Sequence, residues 1–250
     1  MNLFNKLILQ SRSNKIKIIF GVVVLLLIIS IFSCTIIKKC NTNKKIEPSM
    51  HILIILDLTD GLTKYQKNVF MEKVNFVENN LKAGNKLSIY TITETNEELF
   101  SAIRPKDGTS ANYFISNPKK LKKKFINNFK QPLYKVLNTI NFEQKSNSSN
   151  ILETIMHIGK SKEFKRFSNK KLLIFSNMLQ NSESFTHYSN YNSINESQSY
   201  VLDVKNMLIN TKLQVFILQD RKKLQNDKLL CWWKEYFKLT GIQNMKFKTI

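Results

Sequence analysis

Apolar and polar positions along this chain fall into blocks of two periods, and the blocks alternate. After a polar stretch at 38–50, residues 51–56 (HILIIL) form an apolar run that predicts a strand buried on both faces. Phe70, Val74, Val77 and Leu81 recur at i, i+4, i+7 and i+11, which predicts a helix over 63–82, stopped by Ala83-Gly84-Asn85. Two runs rich in β-branched and aromatic residues, 86–93 and 99–104, predict strands. Leu121, Phe125 and Phe129 repeat every four residues from Pro118, an amphipathic helix that Pro132 is expected to break or kink before a second stretch through Leu133, Val136 and Ile140. Further on, the pattern predicts a helix at 151–162, a strand at 171–176, a polar segment at 181–199 and a helix at 200–210. A strand at 213–219, a helix at 227–240 and a last strand at 245–249 complete it.

Strands alternating with helices imply an α/β fold. The expected form is a doubly wound, mostly parallel sheet with helices on both faces, and strands 53–56, 172–175 and 215–218 at its centre.

One block has neither period. Residues 18–37 (IIFGVVVLLLIISIFSCTII) carry no charge and are bracketed by Lys15, Lys17, Lys38 and Lys39. Twenty uncharged, largely apolar residues match the hydrocarbon thickness of a bilayer, so one transmembrane helix is expected to precede the domain. The organisation that follows is a basic tail at 1–17, the helix at 18–37, a linker at 38–50 and one domain at 51–250. Ile31-Phe32-Ser33-Cys34 offers an alternative, a lipoprotein cleavage box with Cys34 acylated. Either route makes the chain a single-pass or lipid-anchored membrane protein, with the domain expected on the exported side. Both flanks are basic, so the charge asymmetry that orients a helix is small.

Charge adds one candidate surface. The formal net charge is +21, and residues 1–45 hold eight bases and no acid. Lys119, Lys120, Lys122, Lys123 and Lys124 crowd the start of the helix at Pro118 and form a candidate patch for anionic lipid or nucleic acid. No aromatic interleaving or base-reading motif accompanies them, so nucleic acid is the weaker partner. A solvated helix face is the plainer meaning. Three cysteines, Cys34, Cys40 and Cys231, give no disulfide framework and no CxxC metal spacing.

The candidate site is the strand-end sequence Asp57-Leu58-Thr59-Asp60-Gly61-Leu62-Thr63, with Ser148-Ser149-Asn150 and Ser176-Asn177-Met178-Leu179-Gln180 in later loops. In an open α/β sheet, ligands sit beyond the carboxyl ends of the strands, where these segments converge. The three segments resemble the von Willebrand factor A (vWA) family, whose metal-ion-dependent adhesion site reads Asp-x-Ser-x-Ser after the first strand, a Thr in a later loop and an Asp after the fourth strand. The likeness covers about 51–250 and is similar to that of membrane-anchored bacterial vWA-like proteins. It implies a protein-binding module, expected in a cell-envelope assembly, with Asp57, Thr59, Ser148, Ser149 and Asn177 as candidate ligands of Mg²⁺ and Asp60 as a further one. Hydroxyl, carboxylate and water oxygens suit that hard cation. The pattern departs twice, because Gly61 stands where the family has its third ligand and neutral Asn177 where it has an acid. Asp60 is also open to the reading of a helix-capping acid.

Enzymatic features are sparse. His51 falls on a strand and His157 in a helix. His187 lies in the polar segment near Ser182 and Ser184, with no nucleophile elbow before them. No phosphate-binding glycine loop occurs. Trp232-Trp233 reads as helix packing. The expectation is a protein that is not an enzyme.

Overall fold

The computed structural model describes residues 50–93, 97–109, 116–189, 203–221 and 223–250, together with Leu26, Ile29, Ser30 and Ile194. The chain divides between Ile46 and Glu47. In the first part Leu26, Ile29 and Ser30 are helical, and the rest of the expected membrane span at 18–37 lies outside the described residues. So do the tail, Cys34 and Cys40. Among the described residues no helix is long and apolar enough to cross a membrane.

The second part is a six-stranded sheet: β1 (Met50–Asp57), β2 (Lys86–Ile92), β3 (Glu97–Ile103), β4 (Asn169–Ser176), β5 (Thr211–Ile217) and β6 (Asn244–Thr249). Its order is β3-β2-β1-β4-β5-β6. Every pair is parallel except β2 with β3. The expected doubly wound, mostly parallel sheet is what forms.

Strand periodicity sorts the core into two layers. Leu53 and Ile55 of β1, Leu172 and Ile174 of β4, and Leu213 and Val215 of β5 pack on one face. There they meet α4 (Ile151–Lys160) and α6 (Asp227–Leu239), which brings Trp232, Trp233, Tyr236 and Phe237. Ile52, Ile54 and Leu56, with Leu173 and Phe175, point the other way. That layer is closed by α1 (Lys64–Asn80), α2 (Pro118–Phe125) and α3 (Gln131–Thr139). A short α5 (Lys162–Lys165) leads into β4. With both faces covered, β1 has no need of polar alternation, which is why its sequence is an unbroken apolar run.

Two elements depart from the sequence expectation. Pro132 neither breaks nor ends its helix. Residues Ile126–Lys130 form a π turn in which the Gln131 N–H reaches the Ile126 carbonyl. The extra residue per turn accommodates a proline that lacks an N–H and would crowd the carbonyl four residues earlier. The helix expected at 200–210 is not continued in its described part, where residues 203–210 form successive turns. Asn206 and Asn210 adopt φ of 58° and 60°, a left-handed conformation that no α-helix propagates.

Candidate functional site

Strand order reverses at β1, whose neighbours β2 and β4 are reached by crossovers in opposite directions, so a crevice opens beyond the carboxyl ends of β1 and β4. Asp57 is the last residue of β1 and Ser176 the last of β4. Their side chains meet: the Ser176 hydroxyl donates to Asp57 Oδ2 at 2.7 Å. Ser149 Oγ, from the loop before α4, donates to the same oxygen at 3.2 Å. Thr59 fills the other side, with its N–H 3.0 Å and its Oγ1 2.6 Å from Asp57 Oδ1. One carboxylate thus collects four donors from three loops.

Asp57 is 3% exposed. Burial raises its carboxyl pKa above the ordinary carboxylate range, and the hydrogen bonds from Ser176, Thr59 and Ser149 pull against that rise. Thr59 and Ser149 are buried as well. These residues face inward and tie the loops together; they do not present an open face. Ser148 is not part of the cradle. It sits in a local turn in which its N–H and carbonyl both bond the Ser146 hydroxyl, and its neighbour Ser149 supplies the reaching side chain.

A second polar layer lies outside the first. Asn177 Oδ1 accepts the Leu179 N–H at 2.8 Å, which fixes the amide so that Nδ2 points outward. That nitrogen donates to Asp60 Oδ2 at 2.6 Å and to Asp220 Oδ2 at 3.2 Å. Arg221 closes the ring, its Nη2 2.8 Å from Asp60 Oδ1 and its guanidinium 5.3 Å from the Tyr188 ring centre. Burial also raises the Asp220 pKa, opposed by the Asn177 amide and reinforced by Asp60. Asp60 is therefore no helix cap. Thr63 caps α1, its side chain accepting the Gln66 N–H while Gln66 bonds back in a capping box.

The supports of this layer carry little sequence signal. Gln225 donates to the carbonyls of Asn177 and Leu218 and accepts the N–H groups of Asp220 and Arg221. Trp233 Nε1 donates to the Met178 carbonyl at 2.7 Å. Met178 holds φ at 61°, so this tryptophan secures a tight turn as well as packing the core. Glu153 accepts from Ser182 at 2.6 Å and from Gln180 at 2.8 Å, and paired backbone bonds join Asn181 to Ser149. Asp220 and Arg221, which the sequence reading passed over, stand just past the end of β5, where the strand-end rule would have looked for them.

Two of the three histidines are buried and hydrogen-bonded. His187 Nδ1 accepts the Gln180 N–H at 3.0 Å, and its ring lies 4.7 Å from that of Trp232. Burial lowers its pKa to about 3. Ser182 is directed at Glu153, so no serine–histidine pair forms between them. His51 bonds Ser88 at 2.9 Å, and burial lowers its pKa to about 4. His157 is exposed on α4.

The donor set differs from the one the family motif implies for Mg²⁺. Three hydroxyl protons are committed to Asp57, the Asn177 oxygen is held by a backbone N–H, and a nitrogen faces Asp60 and Asp220. Gly61 lies at φ 72°, where any side chain is strained, so a third first-loop hydroxyl cannot be accommodated there without cost. Among the described residues no group of three or more His, Cys, Asp or Glu could hold a metal ion.

The loops nonetheless reproduce the arrangement that the sequence motif implied: an acid ending β1, a hydroxyl from the loop before α4, and a polar turn after β4. This placement is similar to the one the vWA motif implies. No family model matches the chain, and no curated protein sequence does. Solved structures similar to this chain include the SpRpn10 VWA domain, at TM-score 0.44 and 10% identity over 80% of this chain and 87% of that one. An aerotolerance-related membrane protein from Bacteroides fragilis has a TM-score of 0.43 and 9% identity over 80% of this chain and 91% of that one. The ArnB paralog VWA2 from Sulfolobus acidocaldarius has a TM-score of 0.40 and 14% identity over 81% of this chain and 41% of that one.

Proposed function

We propose that this vWA-like domain is a protein-interaction module, tethered to a membrane by 18–37, that recognises its partner at the carboxyl-end rim of the sheet without needing a divalent cation. The observation that carries the reading is the two-layer network. A buried carboxylate with four donors locks three loops, and above it Asp60, Asp220, Arg221 and Tyr188 form an ordered, partly exposed polar surface. Recognition surfaces need side chains held in place, because ordering them on binding costs affinity. Arg221 and Tyr188 are residue types that favour such contacts.

The domain is further proposed to be exported and to work in a cell-envelope assembly. The module is proposed to act by binding rather than by catalysis. The test is to purify the tagged full chain from membranes and compare co-purifying proteins between parent, Arg221→Glu, Tyr188→Ala and Lys82→Glu. A partner held by the parent and by Lys82→Glu, and lost from both rim variants with their folding unchanged, supports the reading. A partner retained by both rim variants overturns it.

A further inference from the structure

A groove of about 740 Å³ lies on the side of the domain covered by α2 and α3. Its size falls within the roughly 300–1,000 Å³ of small-molecule sites. Phe125, Ile126 and Tyr134 form an apolar wall, and Lys119, Lys122 and Lys130 stand along it. Residues 119, 122, 126, 130 and 134 recur at three- and four-residue intervals, so a single face of the continuous helix supplies both wall and charge.

Two features say what would occupy it. First, the three lysines have no acidic partner among the described residues. Asp107, the acid at the groove, is already bonded to Arg104 at 3.1 Å and to the Thr109 hydroxyl at 2.7 Å. Lys120, Lys123 and Lys124 extend the positive field around the same helix, all exposed.

Second, the groove begins at the end of the sheet where the chain enters the domain. Because β3 runs antiparallel, its last residue Ile103 pairs with Lys86, which pairs with His51 at the start of β1. The loop after β3 and the start of α2 therefore lie toward the entry point of the linker and away from the Asp57 rim. Gly108 packs there so tightly that a Cβ would come within 2.7 Å of the Pro118 carbonyl, which fixes the loop against α2.

We infer that this groove binds an anionic phospholipid of the tethering membrane, its headgroup between Lys119, Lys122 and Lys130 and one acyl chain along Phe125, Ile126 and Tyr134. The lysine ammonium groups supply point charges for phosphate, and the apolar wall supplies the burial that a bare basic patch lacks. This rests on the tether proposed above but concerns a different surface from the partner rim.

The test uses the full chain with phosphatidylcholine vesicles containing a small fraction of phosphatidylglycerol that carries a photoactivatable acyl chain, with labelled positions mapped by mass spectrometry. Labelling within 119–134 is expected. It should fall several-fold when the same photoactivatable chain is carried on phosphatidylcholine, in the combined Lys119→Gln, Lys122→Gln, Lys130→Gln variant, and in Ile126→Asp. Labelling within 18–37 reports the tether separately, so failure of the anchor and failure of the groove are distinguishable. Labelling absent from 119–134, or equal with neutral and anionic headgroups, overturns the inference. Retention of a duplex oligonucleotide at the same salt without groove labelling would reassign the lysines to nucleic acid and also overturn it.

Discussion

Replacing Asn177 by Asp changes one NH₂ into an oxygen at a buried position and reverses the electrostatics of the rim. In the parent, that nitrogen donates to Asp60 at 2.6 Å and to Asp220 at 3.2 Å. Asn177→Asp removes two hydrogen bonds to charged acceptors, each of roughly 1.5–3 kcal/mol. It also sets a third carboxylate against two others. At about 3 Å and an effective dielectric of about 20, each like-charge pair costs roughly 5 kcal/mol before solvent screening. Solvent reaches both Asp60 and Asp220, so we allow about 1 kcal/mol per pair after screening. Protonation and rearrangement relieve part of the sum, and the expected net loss is about 3 kcal/mol at pH 7.5. The new carboxyl has a folded pKa above its unfolded value. Its penalty is therefore small at low pH and grows as pH rises through the folded pKa. The three acids also become an oxygen cage for a divalent cation. Urea unfolding at pH 5 and 7.5, with EDTA or with Mg²⁺, reads all of this. The variant should be weakest at pH 7.5 in EDTA and recover with acid or Mg²⁺, and the parent should ignore Mg²⁺. A variant as stable as the parent at pH 7.5 in EDTA would refute the amide orientation on which the reasoning rests.

Two further outcomes follow from the inner layer and from the buried histidines. Ser176→Ala removes the 2.7 Å donor to Asp57 and the acceptor for the Met178 N–H; it should lower unfolding stability by about 2 kcal/mol, and a loss below the resolution of a denaturant melt would contradict the Asp57 cradle. His51 has its pKa lowered from 6.5 to about 4, so its neutral form contributes stability that is complete above pH 6.5 and is lost as pH falls toward 4. The stability advantage of the parent over His51→Gln should shrink by roughly 3 kcal/mol across that window; an advantage that stays constant from pH 7 to 4.5 would contradict it.

How much of this was legible in the sequence depends on the range of the interactions involved. β1 was readable because burial on both faces leaves only apolar residues between His51 and Leu56. α1 was readable because Phe70, Val74 and Val77 mark one face of a helix. Asp57, Thr59 and Ser149 were readable because a strand end must turn polar, and the strand-end rule says where such ends converge. Orientation was not readable. The sequence does not say whether Asn177 offers oxygen or nitrogen, since that depends on the Leu179 N–H on one side and two acids on the other. Arg221 binds Asp60 across 161 positions of sequence, and Gln225 braces four backbone groups without any local pattern. The π turn escaped for a related reason. A helix that gains one residue per turn keeps its apolar positions, so Pro132 looked like a break when the backbone absorbed it. Residues 203–210 had helical composition but are held by backbone bonds to the end of α6, Asn206 N to the Leu239 carbonyl and Leu208 N to the Thr240 carbonyl.

We propose that partner recognition occurs at the rim and without a divalent cation. Site-specific photo-crosslinking tests this, with a photoreactive phenylalanine analogue placed at Tyr188 in the full chain and, as a control, at exposed Phe76 toward the far end of α1. A discrete crosslinked protein is expected from position 188, equal in yield with EDTA or Mg²⁺, absent from position 76 and lost in the Arg221→Glu background. A crosslink from position 76 alone, or one from position 188 that disappears with EDTA, would contradict it.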